Sequence, residues 1–196
     1  MLTALHDENK LSVIPFDLVL DYNVWTHTEI LAAVMPEDLL DEVPAGYELV
    51  GHVAHLNMRD QYLPYKHLIG QVIIDKNSGI RTVINKLDTI GEESLFRTFP
   101  YEVVAGENDL NVETREQNCR FDFDFSKVYW NSRLSSEHER IVAKFRPGDA
   151  VCDVMAGVGP FAVPAGKKQV FTWANDLNPE CYKYLEENIR LNKVPL

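Results

Sequence analysis

The sequence predicts an α/β chain in which a sheet-rich α+β segment is followed by the first part of a Rossmann-like unit. Three observations carry that reading. From Glu48 to Trp130 apolar residues recur mainly with a period of two, most plainly where Phe121, Phe123 and Phe125 alternate with Asp122 and Asp124, which gives a strand one buried and one wet face. At Ser135 the spacing becomes helical. Strand, glycine loop, helix, strand, acid and helix then follow between Pro147 and Lys193, the order of a βαβ unit in a parallel sheet.

The first elements are short. Residues 1–47 mix helical and extended signals broken by Pro15, Pro36 and Pro44, and read as the remnant of a preceding module or a linker. The clearest helix there is "THTEILAAVMP", which Thr26 or Thr28 can cap and Pro36 stops. Residues 48–130 form the sheet-rich middle domain. Within it "ELVGHVAHL" predicts a strand, and "LIGQVIID" and "IRTVINKL" around "KNSG" predict a hairpin. "RTFPYEVVAG" predicts a further strand, and the turn residues "GEND" lead on to "NCRFDFDFSKVYW". Residues 131–196 form the Rossmann-like part. Ser136 with Glu139 three residues on makes a capping box, so Glu137 and His138 are expected as the first two residues of the helix that carries Ile141, Val142 and Phe145. Pro179 sits in the first turn of the last helix.

Composition narrows the function classes. The chain has 196 residues, 45% of them hydrophobic, enough for a real core. It contains neither a run approaching a membrane span nor, in "MLTALHDENK", a targeting pattern, so no membrane partner is expected. Cys119, Cys152 and Cys181 are odd in number and lack CxxC spacing, which argues against a disulfide framework and a zinc site and for a reducing compartment. His52 and His55 fall on opposite faces of a predicted strand, so no metal is expected there either. Core packing is the expected use of Trp130, Trp173 and Tyr184. The net charge of −11 is mostly an N-terminal property, because residues 1–50 carry Lys10 against ten acids. Residues 59–90 carry five basic residues against three acids, which leaves room for an RNA partner.

Two stretches carry chemistry. In "DVMAGVGPF", Gly157 and Gly159 lie at the end of a strand, and Asp176 follows Gly157 by nineteen residues, about the spacing of an acid that accepts from ribose hydroxyls. The other reading is an ordinary α/β turn with a solvated acid. No Gly-Lys-Ser/Thr follows and the third glycine of the dinucleotide fingerprint is replaced by Ala162, so a nucleoside without a pyrophosphate suits the loop, S-adenosylmethionine being the commonest. In "VYWNSRLSSEHERI" two arginines, a histidine and two glutamates crowd the start of a helix, where an acid also serves simply to offset the dipole.

"KVYWNSRLSSEHERI", "DVMAGVGPFAVPAGKK" and "ANDLNPE" resemble the eukaryotic and archaeal tRNA (guanine-N1)-methyltransferases that act at position 37. The likeness runs back through "FRTFPYEVVAGEND", "GIRTVINKLD" and "VGHVAHLNMRDQYLPYKHLIGQV", over roughly residues 48–196. The resemblance implies a class I S-adenosylmethionine-dependent methyltransferase domain, with tRNA as partner. It implies that Glu137 is the general base, that Arg97 lies at the target guanine, and that Tyr129 and Arg133 lie near the active site. It places His138 toward the cofactor, Asp176 and Leu177 at its ribose, and Asp153, Gly157 and Gly159 in the loop that holds it.

The chemistry agrees with those roles. Guanine N1 keeps its proton at neutral pH, so a base must take it before a methyl group can be accepted. Loss of that proton moves negative charge toward O6, where a guanidinium such as that of Arg97 stabilises it. The resemblance further implies missing parts, namely most of an N-terminal domain and later strands with an adenine-side acid and an Asn-x-Pro motif. The chain is therefore expected to be a fragment or shortened product, inactive alone, with an open sheet edge and an apolar face. A monomer is expected. The cytoplasm is the expected location, with mitochondrial matrix and nucleus open by resemblance. The alternatives are the wybutosine-pathway enzyme that transfers the aminocarboxypropyl group of the same cofactor, and a noncatalytic RNA-binding fragment.

Overall fold

The computed structural model describes residues 14–44, 46–87 and 95–195, and the first thirteen residues of the expected linker lie outside them. Helix α1 (His27–Val34) starts at Thr26, whose hydroxyl accepts from the Glu29 N–H while the Glu29 carboxylate accepts from the Thr26 N–H, a complete capping box. A four-stranded sheet follows, built from β1 (Glu48–Val50), β2 (Val53–Leu56), β3 (Thr82–Lys86) and β4 (Tyr101–Gly106) in that spatial order. The single strand expected over "ELVGHVAHL" is two, folded back antiparallel at Gly51 and His52.

The expected hairpin around "KNSG" does not form. "KHLIGQVIIDK" is helix α2 (Lys66–Lys76), and β2 pairs parallel with β3. Parallel neighbours need a crossover, and α2 supplies it. The apolar run admits both periods. Ile69, Val72 and Ile73, at helical spacing, are the residues that bury against Ala54, Leu56 and Val83. With α1 they cover one face of the sheet. The other face, through Val50, Val53 and Ile84, packs on Val112, Phe121, Phe123 and Phe125.

Those residues belong to a separate hairpin of β5 (Asn111–Glu116) and β6 (Cys119–Asp124), turned by Gln117 and Asn118, both at positive φ. The phenylalanines of β6 are buried and the aspartates half-buried, as their alternation predicts. Next come α3 (Ser135–Ala143), β7 (Ala150–Asp153), α4 (Ala162–Lys167), β8 (Phe171–Ala174) and α5 (Pro179–Leu191). β7 and β8 pair in parallel as a two-stranded sheet, with Phe171 and Trp173 standing exposed on it. Core packing therefore holds for Trp130 but not for Trp173. The chain enters α3 directly from a 3-10 turn (Ser132–Leu134) capped by Asn131, so Ser136 lies within the helix and the expected Ser136 capping box is absent. Glu137 is the third residue of α3, not the first.

Helix α5 lies along the free edge of β6. The Asp122 N–H donates to Asn188 Oδ1 (2.9 Å) and the Arg120 N–H to Asn192 Oδ1 (2.9 Å), while Asn192 Nδ2 donates to the Arg120 carbonyl (2.6 Å). Four residues of helix rise about 6 Å. Two residues of strand span about 6.6 Å, so the two asparagine amides match two same-facing backbone groups. Asn188 is fully buried, and its Nδ2 also donates to the Val158 carbonyl (3.1 Å). Replacing Asn188 by Ala orphans a buried N–H and a buried carbonyl. A loss of roughly 2–4 kcal/mol in urea unfolding is expected, at about 1–3 kcal/mol for each group left unpaired. A loss below about 0.5 kcal/mol would show that neither bond matters to the fold.

Candidate functional site

The glycine loop leaves the C-terminal end of β7 and faces the end of β8, the side on which open parallel sheets place ligands. Gly157 (φ 55°) and Gly159 (φ 102°) both occupy the left-handed region. Their surroundings differ. A Cβ on Gly159 would lie 2.7 Å from Val163 Cγ2 and 2.8 Å from Leu185 Cδ1, so this glycine permits the close approach of α4 and α5. A Cβ on Gly157 would meet nothing within 4 Å, so the backbone there borders open space.

Asp176, just after β8, fixes the loop from the second strand. Its Oδ2 accepts from the Gly157 N–H (2.7 Å) and its Oδ1 from the Asn178 N–H (2.9 Å). Asn178 in turn caps α5 by accepting from the Glu180 N–H (3.0 Å), and Pro179 occupies the first turn. Two main-chain bonds of 2.9 Å, Asn175 N–H to the Asp153 carbonyl and Ala156 N–H to the Asn175 carbonyl, lock the two strand ends together.

Asp153 ends β7 beside Asp176. Burial pushes its carboxyl above the usual carboxylate range, a hydrogen bond from the Met155 backbone opposes this, and the Asp176 charge adds to it. Its Oδ2 is buried with no hydrogen-bond partner. Val154, Met155 and Leu177, around these acids, are strongly exposed apolar side chains. A sheet end with two carboxylates, one oxygen of which is buried and unsatisfied, and apolar flanks has polar and apolar groups that a small molecule could engage.

The residues at the α3 end are arranged differently. Glu137 is half-exposed and held by Arg140, whose Nε and Nη2 donate to its two oxygens at 2.6 Å. That bidentate pair holds its carboxyl below the usual range. His138 is 5% exposed. Its Nδ1 donates to Glu116 Oε2 at 2.7 Å, since a carboxylate only accepts, and its ring sits edge-on to Phe161 and beside Trp130. Arg97 is exposed at φ 55°, Tyr129 is half-buried, and Arg133 is exposed and paired with Glu48 (2.5 Å). Gly157 and Asp176 are thus bonded directly, and Asp153 adjoins them through the bond from the Asn175 N–H to its carbonyl. No bond joins Glu137 to Arg97 among the described residues, and Leu177 flanks the acids only by exposure. Glu116 was not legible beforehand, because nothing in "NVETREQNC" singles out one acid of a strand end as the partner of a distant histidine. Asn178 was legible in principle, since Asn-Pro opening a helix is a capping signature.

The pKa of the buried Cys181 thiol is pushed up to about 11 by burial, and all three cysteines are free. Among the described residues there is no group of three or more His, Cys, Asp or Glu placed to hold a metal, and no helix is long and apolar enough to cross a membrane.

Residues 27–109 match the TYW2 N-terminal domain family, and residues 112–195 match the TRM5/TYW2 methyltransferase domain family. The chain is 58% identical over 193 residues to a tRNA (guanine(37)-N(1))-methyltransferase of Emericella nidulans, covering 98% of this chain and 40% of that one. It is 60% identical to the Saccharomyces cerevisiae protein of the same name, over 97% of this chain and 38% of that one. The chain thus spans about 40% of the length of these curated relatives. Among solved structures it resembles Trm5b of Pyrococcus abyssi with a TM-score of 0.75 and 31% identity, covering 95% of this chain and 57% of that one. It also resembles aTrm5 in a complex with tRNALeu, with a TM-score of 0.73 and 28% identity over 92% of this chain and 56% of that one. Fold, glycine loop and sequence likeness agree: residues 112–195 match the TRM5/TYW2 methyltransferase domain, and nearly the whole chain is similar to part of the tRNA (guanine(37)-N(1))-methyltransferases.

Proposed function

We propose that this chain carries the first part of the catalytic domain of a tRNA methyltransferase that moves a methyl group from S-adenosylmethionine to N1 of guanosine 37. One observation carries it: two carboxylates at the ends of adjacent parallel strands flank a glycine loop, and one buried oxygen of theirs, Asp153 Oδ2, has no hydrogen-bond partner. The substrate follows from likeness to relatives of that name. The residues fit the cofactor. Asp153 Oδ2 lacks a donor that an ammonium or hydroxyl group would supply, Asp176 keeps lone pairs for ribose hydroxyls, and Gly157 leaves its side open. S-adenosylmethionine, when bound, supplies a methyl group made electrophilic by its sulfonium.

Glu137 would take the proton from guanine N1, and the fixed charge of Arg97 would stabilise the O6 charge that follows. The carboxylate must leave Arg140 to do so, and contact with the base would raise its basicity by excluding water. Tyr129 would border the base, Leu177 would cover the ribose, and His138 would brace the glycine loop through Phe161. Transfer of an aminocarboxypropyl group from the same cofactor is the second reading, and the chain also resembles TYW2 of Pyrococcus horikoshii in complex with MeSAdo, with a TM-score of 0.68 and 30% identity. Mass analysis of nuclease-digested tRNA after reaction with the full gene product tests the proposal. A methyl on N1 of guanosine 37 supports it, and the larger group or an unmodified base overturns it.

Two outcomes follow for single residues. Glu137→Gln keeps shape but cannot take a proton, so single-turnover rates at saturating cofactor should fall by about 10²–10⁴. Because Arg140 lowers the Glu137 pKa, Arg140→Met should let that pKa rise and move the acid limb of the kcat/KM profile to higher pH. A fixed limb would assign the proton transfer to another group. Asp153, with its raised pKa, contributes stability only below its unfolded pKa and loses it as pH rises through the folded one. Asp153→Asn should therefore raise Tm at pH 7 while weakening S-adenosylmethionine binding in calorimetry. A lower Tm, or unchanged affinity, would contradict the assignment.

A further inference from the structure

Lys86 closes β3 and is out of place as a surface lysine. It is half-buried, its Nζ stands 4.5 Å from the centroid of the Phe99 ring, and among the described residues it makes no hydrogen bond or ion pair. Burial lowers its pKa, the Glu48 carboxylate opposes that, and Arg133 adds to it. Glu48 itself is claimed by others, with Oε1 2.5 Å from Arg133 Nη2 and Oε2 3.4 Å from His55 Nε2. The pKa of His55, buried at 6% exposure, is pushed down to about 4 by burial first and by Lys86 and Arg133 next, so it is neutral at physiological pH. Lys86 and Arg133 therefore both stand near one carboxylate, which is bonded to Arg133, in a chain of net charge −11.

The geometry points to Lys86 and Arg133 as a seat for a backbone phosphate of the RNA substrate, next to the target nucleotide. The seat is composite. Lys86 comes from the four-stranded sheet and Arg133 from the 3-10 turn that leads into α3, and Ser132 Oγ ties the two by donating to the Leu49 carbonyl at 2.9 Å. Phe99, beneath the ammonium, follows Arg97 by two residues, and Arg133 precedes Glu137 by four. The inference thus rests on the proposed function, in which those two residues meet the base. An acidic protein repels a polyanion at long range, so its affinity for RNA must come from a few local cations of this kind. A guanidinium and an ammonium with spare donors suit phosphate oxygens. The shared chemistry is an anionic oxygen group, and a second source is the carboxylate of S-adenosylmethionine. RNA is favoured because the seat is borne by β3 and the turn before α3, not by the loop at the ends of β7 and β8.

The test titrates the full gene product with a fluorescent anticodon stem-loop RNA at several salt concentrations. Lys86→Met keeps the stem over Phe99 and removes the charge. It should weaken binding by about three- to tenfold and reduce the slope of log K against log salt by about 0.7–0.9. Lys183→Met is the matched control, since Lys183 Nζ also stands over an aromatic ring, that of Tyr184 at 5.1 Å, and it should change neither quantity. Glu48→Gln removes the competing carboxylate and should tighten binding by about two- to fivefold, a gain that misfolding cannot imitate. Unchanged RNA affinity and slope in Lys86→Met overturn the seat and leave the methyltransferase reading intact. Lost cofactor affinity in calorimetry with RNA binding unchanged would also overturn it, in favour of the cofactor carboxylate. A wild-type protein that binds no RNA overturns both.

Discussion

The rest of the C-terminal unit depends on the buried carboxamide of Asn188. From one helix position it satisfies an edge N–H of β6 and a carbonyl of the glycine loop, and Asn192 repeats the edge contact one turn later. A strand edge that would otherwise invite another strand is closed by side chains of a helix. The consequence reaches beyond stability. Asn178 opens the same helix and donates to the Lys127 carbonyl, while Gln117 at the hairpin tip donates to the Pro160 carbonyl within the glycine loop region. Hairpin, loop and helix therefore share backbone partners, and the loop takes its shape before any ligand arrives.

Electrostatics divide the site into two kinds of charge. Asp176 is built in, satisfied by two main-chain donors, and serves the loop as much as any ligand. Asp153 and Lys86 are each partly buried with an unmet polar demand, one for a donor and one for an anion. Groups kept in that condition cost stability in the free protein, and under the proposed function binding would recover the cost. Glu137 is the opposite case, held in an ion pair with Arg140 that the proposed reaction would have it exchange for substrate. Its exposed pairing contributes little to the fold.

Much of this was readable from residues alone because local signals and burial agree. The alternation of Phe121, Phe123 and Phe125 forecast its buried face, Thr26 or Thr28 and Pro179 marked helix starts, and the Gly157 to Asp176 spacing placed an acid at the second strand end. What failed did so where two readings fit one string. "LIGQVIID" satisfies a period of two and of 3.6, and only the parallel pairing of β2 with β3, a long-range fact, requires the helix. Ser136 and Glu139 have the right spacing for a cap, yet the preceding 3-10 turn starts the coil earlier. Trp173 looked like core, but it points from a two-stranded sheet into the open. The hydrogen bond of His138 with Glu116 and the cations around Glu48, Lys86 and Arg133, join residues 22 and 47 positions apart, and no local pattern announces such partners.

The central claim is that the ligand loop, the β5–β6 hairpin and α5 form one cooperative unit in the absence of ligand. Native-state hydrogen exchange of individual amides tests it most directly. The Arg120 and Asp122 amides, bound to Asn192 and Asn188, should share a common opening free energy with the Gly157 amide bound to Asp176. If the Gly157 amide instead exchanges at the rate of an open loop while the Asp122 amide stays protected, the loop is not preformed and the account is wrong.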